Sequence, residues 1–438
     1  MRRKLEADLL AWRASKSRRP VLLFGARQVG KTHLLREFGR TSYDNVAYLN
    51  LETSRLATEY FADDISPRTL VPLLEAEIGV PIVPGHTLLI LDEIQSSPRA
   101  LTALKYFAEA APEYHVAAAG SLLGVAVNRE SQSYPVGNVV PLTLHPLDFE
   151  EFLWALGEER LADQIRTAFA AAEPLPIALH ERALSLYRRY LVIGGMPRGV
   201  VEYTDSGSLL GVADIQRGVL HDYTADMVKC ATAAEGVKIR AAYDSLPAQL
   251  AKDNHKFQYK LATRGGTAAI FGPAIDWLVY AGIALRCDRV TVGRVPLAAY
   301  RDLTGFKLYM GDVGLLGLAS GMPSSVVLAG GSEMAFLGAL TENYVAQALA
   351  ANLVPRHYWA SDGRAEVDFL IQAEDRLIPV EVKAGSRTRS RSLGVFTEQF
   401  EVAYSVRLST KNFGYENAIL SVPLYAAFCL TPVQLRNR

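Results

Sequence analysis

The segment GARQVGKT at residues 25–32, directly after the apolar run VLLF at 21–24, constrains this chain more than any other feature. It satisfies the pattern G-x-x-x-x-G-K-[ST], and a buried strand before it with a helix after it is the setting that the pattern requires. The glycines let the backbone curl until its N–H groups point at phosphate oxygens. The helix predicted over 31–38 adds the positive end of its dipole. Lys31 is placed to neutralise terminal phosphates, and the Thr32 hydroxyl to ligate magnesium. Gly25, Gln28, Val29, Gly30, Lys31, Thr32 and His33 form the expected cofactor-binding set, for ATP or GTP with Mg2+.

A second signature lies downstream. A strand is predicted over 46–51, a helix over 67–78, and an apolar strand over 87–91 that runs straight into Asp92 and Glu93. An acid at the end of a buried strand reaches the magnesium ion opposite the phosphate loop, the role expected for Asp92. Glu93 is the candidate that orients or deprotonates the attacking water. A helix over 101–110 and a strand over 116–119 follow, ending at Ser121, which reads equally as a phosphate sensor and as a helix cap. A fifth strand over 139–144 and a helix over 148–156 complete the alternation, which predicts an α/β parallel sheet with its ligand site beyond the strand ends. Phosphate loops also serve small-molecule kinases. Two carboxylates at one strand end, with a long chain beyond, favour hydrolysis coupled to a conformational change.

At 438 residues the chain exceeds one ordinary core, and roughly two to four domains are expected. Acidic and basic residues balance at 46 each, so net charge does not define a nucleic-acid scaffold, although local basic patches remain open. Cys230, Cys287 and Cys429 have no paired spacing, which argues against a disulfide framework or zinc site and fits a reducing cytosol. The N-terminal MRRKLEADLLAW has no continuous apolar core of the kind a signal peptide needs, and no apolar run reads as a membrane span. A cytoplasmic protein with no membrane partner is expected.

The region 158–204 reads as mostly helical, broken by the turn Gly194-Gly195-Met196-Pro197-Arg198, and a further helix covers 214–229. From 236 onward come helices, a strand over 283–287 and a strand over 296–300, an order like a small winged-helix unit. Such a unit places a helix in the DNA major groove or serves as a rigid spacer. Farther on, strand alternation puts Glu366 and Asp368 on one face, and Glu381 and Lys383 on one face. With Glu342 from the helix over 335–351, Asp368 and Glu381 are candidates to converge on a magnesium ion, while Lys383 positions water or stabilises a pentavalent phosphate. This is the minimum grammar of a metal-dependent nuclease. Carboxylates within apolar strands are costly unless paired or metal-bound. Arg387, Arg389 and Arg391 follow, where a phosphate backbone could lie.

Taken together, these residues resemble a prokaryotic family of AAA-type ATP-binding proteins with a C-terminal DUF4143 domain. The phosphate loop, LDEIQ at 91–95 and PLDFEEF at 146–152 carry the resemblance in the first domain. GGMP at 194–197, residues 222–229, KFQY at 256–259, FKLYMGDVGLL at 306–316, TEN at 341–343, EVDFLI at 366–371 and PVEVKAG at 379–385 extend it along the chain. The resemblance implies a P-loop NTPase core over 1–157, a helical lid-like segment over 158–230, a winged-helix-like part over 231–305 and a restriction-endonuclease-like α/β domain over 306–438. It implies ATP as the nucleotide, magnesium held by Thr32 and Asp92, and hydrolysis served by Glu93. It also implies Asp368, Glu381 and Lys383 as a nuclease centre with Glu342 as helical partner. Family members often carry an arginine before the PL-x-F-x-EF block, whereas this chain has Gly137-Asn138. Arg129 and Arg198 are the candidates to replace it. DNA, a second copy of the chain or another protein are the partners considered. A nucleotide-regulated module without cutting activity is the competing function.

Overall fold

The computed structural model describes residues 1–54, 57–120, 137–229, 232–252, 255–330, 335–361, 365–385 and 391–436. Ser121, Arg129, Arg387 and Arg389 lie outside the described residues. The chain forms two compact units, one of residues 2–145 with 280–282, the other of residues 146–279 and 283–438 with Met1.

The first unit is built on five parallel strands: β1 Val21–Phe24, β2 Asn45–Asn50, β3 Thr87–Asp92, β4 His115–Ala119 and β5 Val140–Thr143, in the order β2-β3-β4-β1-β5. Every residue of β3 and β4 is buried, as continuous apolar runs covered on both faces demand. The helix Pro98–Ala110 sends Leu101, Leu104 and Phe107 into the core, and its cap is Ser97, whose side chain accepts from the Ala100 N–H. Because β4 lies between β1 and β3, the loops after β1 and β3 open on one sheet edge with the width of a strand between them. That gap is where a ligand fits in a sheet of this kind.

The second unit holds an eight-stranded mixed sheet. Its strands are β6 Ala284–Val290, β7 Arg301–Met310, β8 His357–Ala360, β9 Glu366–Ala373, β10 Arg376–Val382, β11 Ser405–Ser409, β12 Gly414–Glu416 and β13 Ile419–Pro423, in the order β12-β13-β11-β10-β9-β8-β6-β7. Two expectations are corrected here. The segment predicted as a strand over 296–300 is a short 3-10 turn, Leu297–Tyr300, entered through Pro296, and the strand begins only at Arg301. Proline cannot donate to a ladder, which explains the delay. The hairpin of β6 and β7 is also not set apart as a wing, since β6 pairs in parallel with β8. The boundary expected at 305/306 falls inside β7.

The PLDFEEF block is a helix start. Asp148 accepts from the Glu151 N–H at 2.9 Å and Glu151 reaches back to the Asp148 N–H at 3.3 Å, a reciprocal cap for Phe149–Ala155. Phe149 and Phe152 then pack edge-on against Tyr190. No helix among the described residues is long and apolar enough to cross a membrane.

Candidate functional site

The loop after β1 folds as its glycines require. Gly25 has φ 151°, and an added Cβ would meet the Leu144 carbonyl oxygen at 2.3 Å. Gln28 and Gly30 are left-handed, at φ 65° and 95°, and Gly30 caps the helix Lys31–Ser42. Val29 is fully buried beneath the loop, whereas His33 is exposed on the helix. Lys31 is buried, and its Nζ donates to the Gly25 and Ala26 carbonyl oxygens, each at 2.9 Å. Burial pushes its pKa down to about 8, against the opposing charges of Glu93 and Asp92.

Asp92 closes the site from β3. Its Oδ2 accepts from Thr32 Oγ1 at 2.7 Å and from the Tyr48 hydroxyl at 2.9 Å, and its Oδ1 accepts from the Glu93 N–H at 3.0 Å. Glu93 is left-handed at φ 52° and half-buried, and the Gln95 side-chain amide donates to its Oε2. A hydroxyl beside a carboxylate is a hard-oxygen donor pair suited to magnesium, so Thr32 and Asp92 fit that ion. Tyr48 and Gln95 were not singled out from the sequence. Tyr48 reads only as a strand residue, and Gln95 only as the last residue of the LDEIQ block, with no role assigned to it. Arg198 is exposed at the start of the helix Pro197–Ser206.

The turn at 194–197 is a packing joint. A Cβ on Gly194 would lie 2.2 Å from Asp312 Oδ1, and one on Gly195 would lie 2.0 Å from the Leu147 carbonyl oxygen. The Gly195 N–H donates to Asp312 Oδ2 at 2.6 Å.

The three carboxylates of the C-terminal centre are distributed differently from the expectation. Glu342, from the helix Ala335–Ala351, faces β7: its Oε1 accepts from Lys307 Nζ at 2.8 Å and from the Tyr309 hydroxyl, and its Oε2 lies 2.9 Å from His255 Nδ1. Asp368 Oδ2 accepts from the Val382 N–H at 2.7 Å. Glu381 Oε1 pairs with Lys383 Nζ at 2.9 Å, and its Oε2 has Arg407 Nε at 4.0 Å. Among the described residues, no group of three or more His, Cys, Asp and Glu side chains is arranged to hold a metal ion. Each is held by partners of its own, Glu342 by Lys307, which the sequence reading did not single out. Burial alone would lower its pKa, but Glu342, Glu366 and Asp368 together hold it well above the usual lysine range. Burial, reinforced by the Glu342 charge, raises Asp368 to about 7. Glu342 itself would also be raised by burial, but Lys307 and His255 draw it well below the usual carboxylate range.

The first site has the parts of a P-loop NTPase. Residues 17–153 match the family model described as an AAA domain, residues 184–326 a domain of unknown function, DUF8612, and residues 337–426 the domain of unknown function DUF4143. The chain carries an AAA-type P-loop ATPase domain followed by a C-terminal DUF4143 domain. Among solved structures it is similar to a Walker-type ATPase of Pyrococcus abyssi, at 14% identity over 73% of this chain and 95% of that one, with a TM-score of 0.43. The ORC2 protein of Aeropyrum pernix, in ADPNP–ADP complexes, is similar at 14% identity over 78% and 91% of the respective chains, with a TM-score of 0.36. AMPPCP-bound DnaA from Aquifex aeolicus is similar at 13% identity over 60% and 81%, with a TM-score of 0.26. No curated protein matches the chain.

Proposed function

We propose that this chain is a magnesium-dependent ATPase whose nucleotide state governs a nuclease-like, DNA-interacting C-terminal domain. The observation that carries the ATPase reading is the contact of Thr32 with Asp92, which brings the two loops of the sheet edge to one point. ATP entering the loop exchanges the Gly25 and Ala26 carbonyls for phosphate oxygens as partners of Lys31. Thr32 and Asp92 would hold magnesium, which neutralises charge on the β- and γ-phosphates. Glu93 orients and deprotonates the water that attacks the γ-phosphate in line, and Gln95 fixes its carboxylate beforehand.

The order helix Ala335–Ala351, antiparallel β8-β9-β10, helix Arg391–Gln399, then β11 parallel to β10 supports a restriction-endonuclease-like reading of the last domain. Residues 158–230 serve in this reading as a lid-like helical part, and the helices between residue 231 and β6 as a connector. A second reading, a nucleotide-regulated module that grips its partner without cutting, is favoured by one observation: Glu342 is already neutralised by Lys307.

The test is ATP hydrolysis by the wild type and Lys31→Ala, with retention of duplex DNA measured in ATP and in ADP. Hydrolysis should vanish in Lys31→Ala, and retention should differ between nucleotides. Turnover that survives the substitution removes the site. Equal retention in both nucleotides removes the coupling.

A further inference from the structure

The strand β7 carries the sequence FKLYM at 306–310, one charge among bulky apolar neighbours. Lys307 has no exposed surface. An ammonium tolerates such a place only when anions surround it. Here they do: Nζ lies 2.8 Å from Glu342 Oε1 and 2.5 Å from Glu366 Oε1, and 4.9 Å above the Tyr358 ring. The helix Ala335–Ala351 and β9 each present a carboxylate, and β8 a ring face, to one cation that β7 itself supplies. The rest of Glu342 is filled by the Tyr309 hydroxyl and by His255.

A divalent metal needs carboxylate lone pairs at roughly 2.0–2.6 Å, free of other donors. Both oxygens of Glu342 are engaged, Asp368 Oδ2 accepts from the Val382 N–H, and Glu381 Oε1 pairs with Lys383, while Glu381 Oε2, buried without a hydrogen bond among the described residues, faces Arg407 Nε at 4.0 Å. We propose that the Lys307 ammonium takes the place of a divalent ion between Glu342 and Glu366, so that the centre is neutralised from within and does not use a metal to cut DNA. The proposal rests on the module reading above and supplies its physical cause. The lysine is also tethered: it cannot leave as an ion can, so the closure holds at every metal concentration.

The test uses the full nucleotide-free chain with Mn2+ as probe, free Mn2+ being followed by electron paramagnetic resonance. Wild type and Asp368→Asn should take up the same amount. Uptake by the wild type that Asp368→Asn removes overturns the proposal. Lys307→Met is one atom shorter and uncharged, so it removes the ammonium from Glu366 and leaves Glu342 with His255 alone as ion-pair partner among the described residues. It should bind Mn2+ roughly tenfold tighter than the wild type, and adding Glu342→Gln should abolish the gain. A folded Lys307→Met, judged by its circular-dichroism melt, that binds no better than the wild type also overturns it. If Lys307→Met does not fold, the wild-type comparison decides alone. Metal-dependent plasmid nicking that Asp368→Asn eliminates would overturn both this proposal and the module reading. Asp368-dependent Mn2+ uptake without nicking would overturn only the former.

Discussion

Lys31 makes the clearest claim at the scale of one residue. Burial brings its pKa to about 8, whereas a triphosphate beside it favours the ammonium. Binding at pH 7 therefore starts from a charged lysine and moves no proton there. Above pH 8 the free site is increasingly neutral, so binding takes up a proton and affinity falls, by up to about tenfold per pH unit. Calorimetry at pH 8.5 in two buffers of different ionisation enthalpy should reveal this uptake. Lys31→Arg, which stays charged, should lose it, and a wild type without proton uptake contradicts the assignment. Glu93→Gln makes a separate prediction: ATP binding is retained while turnover falls by about 10²–10⁴-fold, read by steady-state phosphate release. These roles were legible because a phosphate loop is a fixed pattern of backbone needs. Tyr48 and Gln95 were not, because a side chain that aims another side chain leaves no spacing rule behind. Lys307 did leave a trace. The argument that marked Asp368, a charge set in an apolar strand, applies equally to the lysine of FKLYM, and burial without a partner would have been too costly there.

Elements were legible wherever periodicity and turn chemistry agreed. The strands over 87–92 and 366–373 and the helix over 335–351 sit where their patterns place them. The miss at 296–300 came from reading an apolar run as a strand although proline opens it, with the true strand starting at a charged residue. A second gap concerns which strands share a sheet. The strands β6 and β8 pair although 66 residues separate the end of one from the start of the other, Val290 to His357, and no local pattern encodes such a pairing. The 194–197 turn shows the opposite case, where two glycines announce close approach. An alanine at 195 would push its Cβ into the Leu147 carbonyl. Gly195→Ala should cost about 1–3 kcal/mol of stability, seen as a lower urea midpoint with an unchanged slope. A variant as stable as the wild type would mean that the joint opens without penalty.

At the scale of the whole chain, the two units meet one constraint that no single residue reveals. A nucleotide shifts a conformational equilibrium only by its difference in affinity for the two states. If ATP and ADP leave the chain with different affinities for duplex DNA, DNA must change the relative affinities for ATP and ADP by the same factor. The prediction is therefore a closed cycle, measured with Glu93→Gln so that ATP persists during equilibration. Fluorescence anisotropy gives the DNA affinity in each nucleotide, and calorimetry gives each nucleotide affinity with and without saturating DNA. Coupling in real systems amounts to about 1–3 kcal/mol, or roughly 5–150-fold, well within the range of both methods. Because acidic and basic residues balance at 46 each, overall charge gives DNA no general hold on this protein. Any DNA affinity must come from a local surface and should fall steeply with salt. Two arms of the cycle that agree within error, at one salt concentration, establish the coupling. Equal DNA affinities in ATP and ADP, with nucleotide affinities that DNA leaves unchanged, would remove the coupling, while the ATPase reading stands or falls on Lys31→Ala.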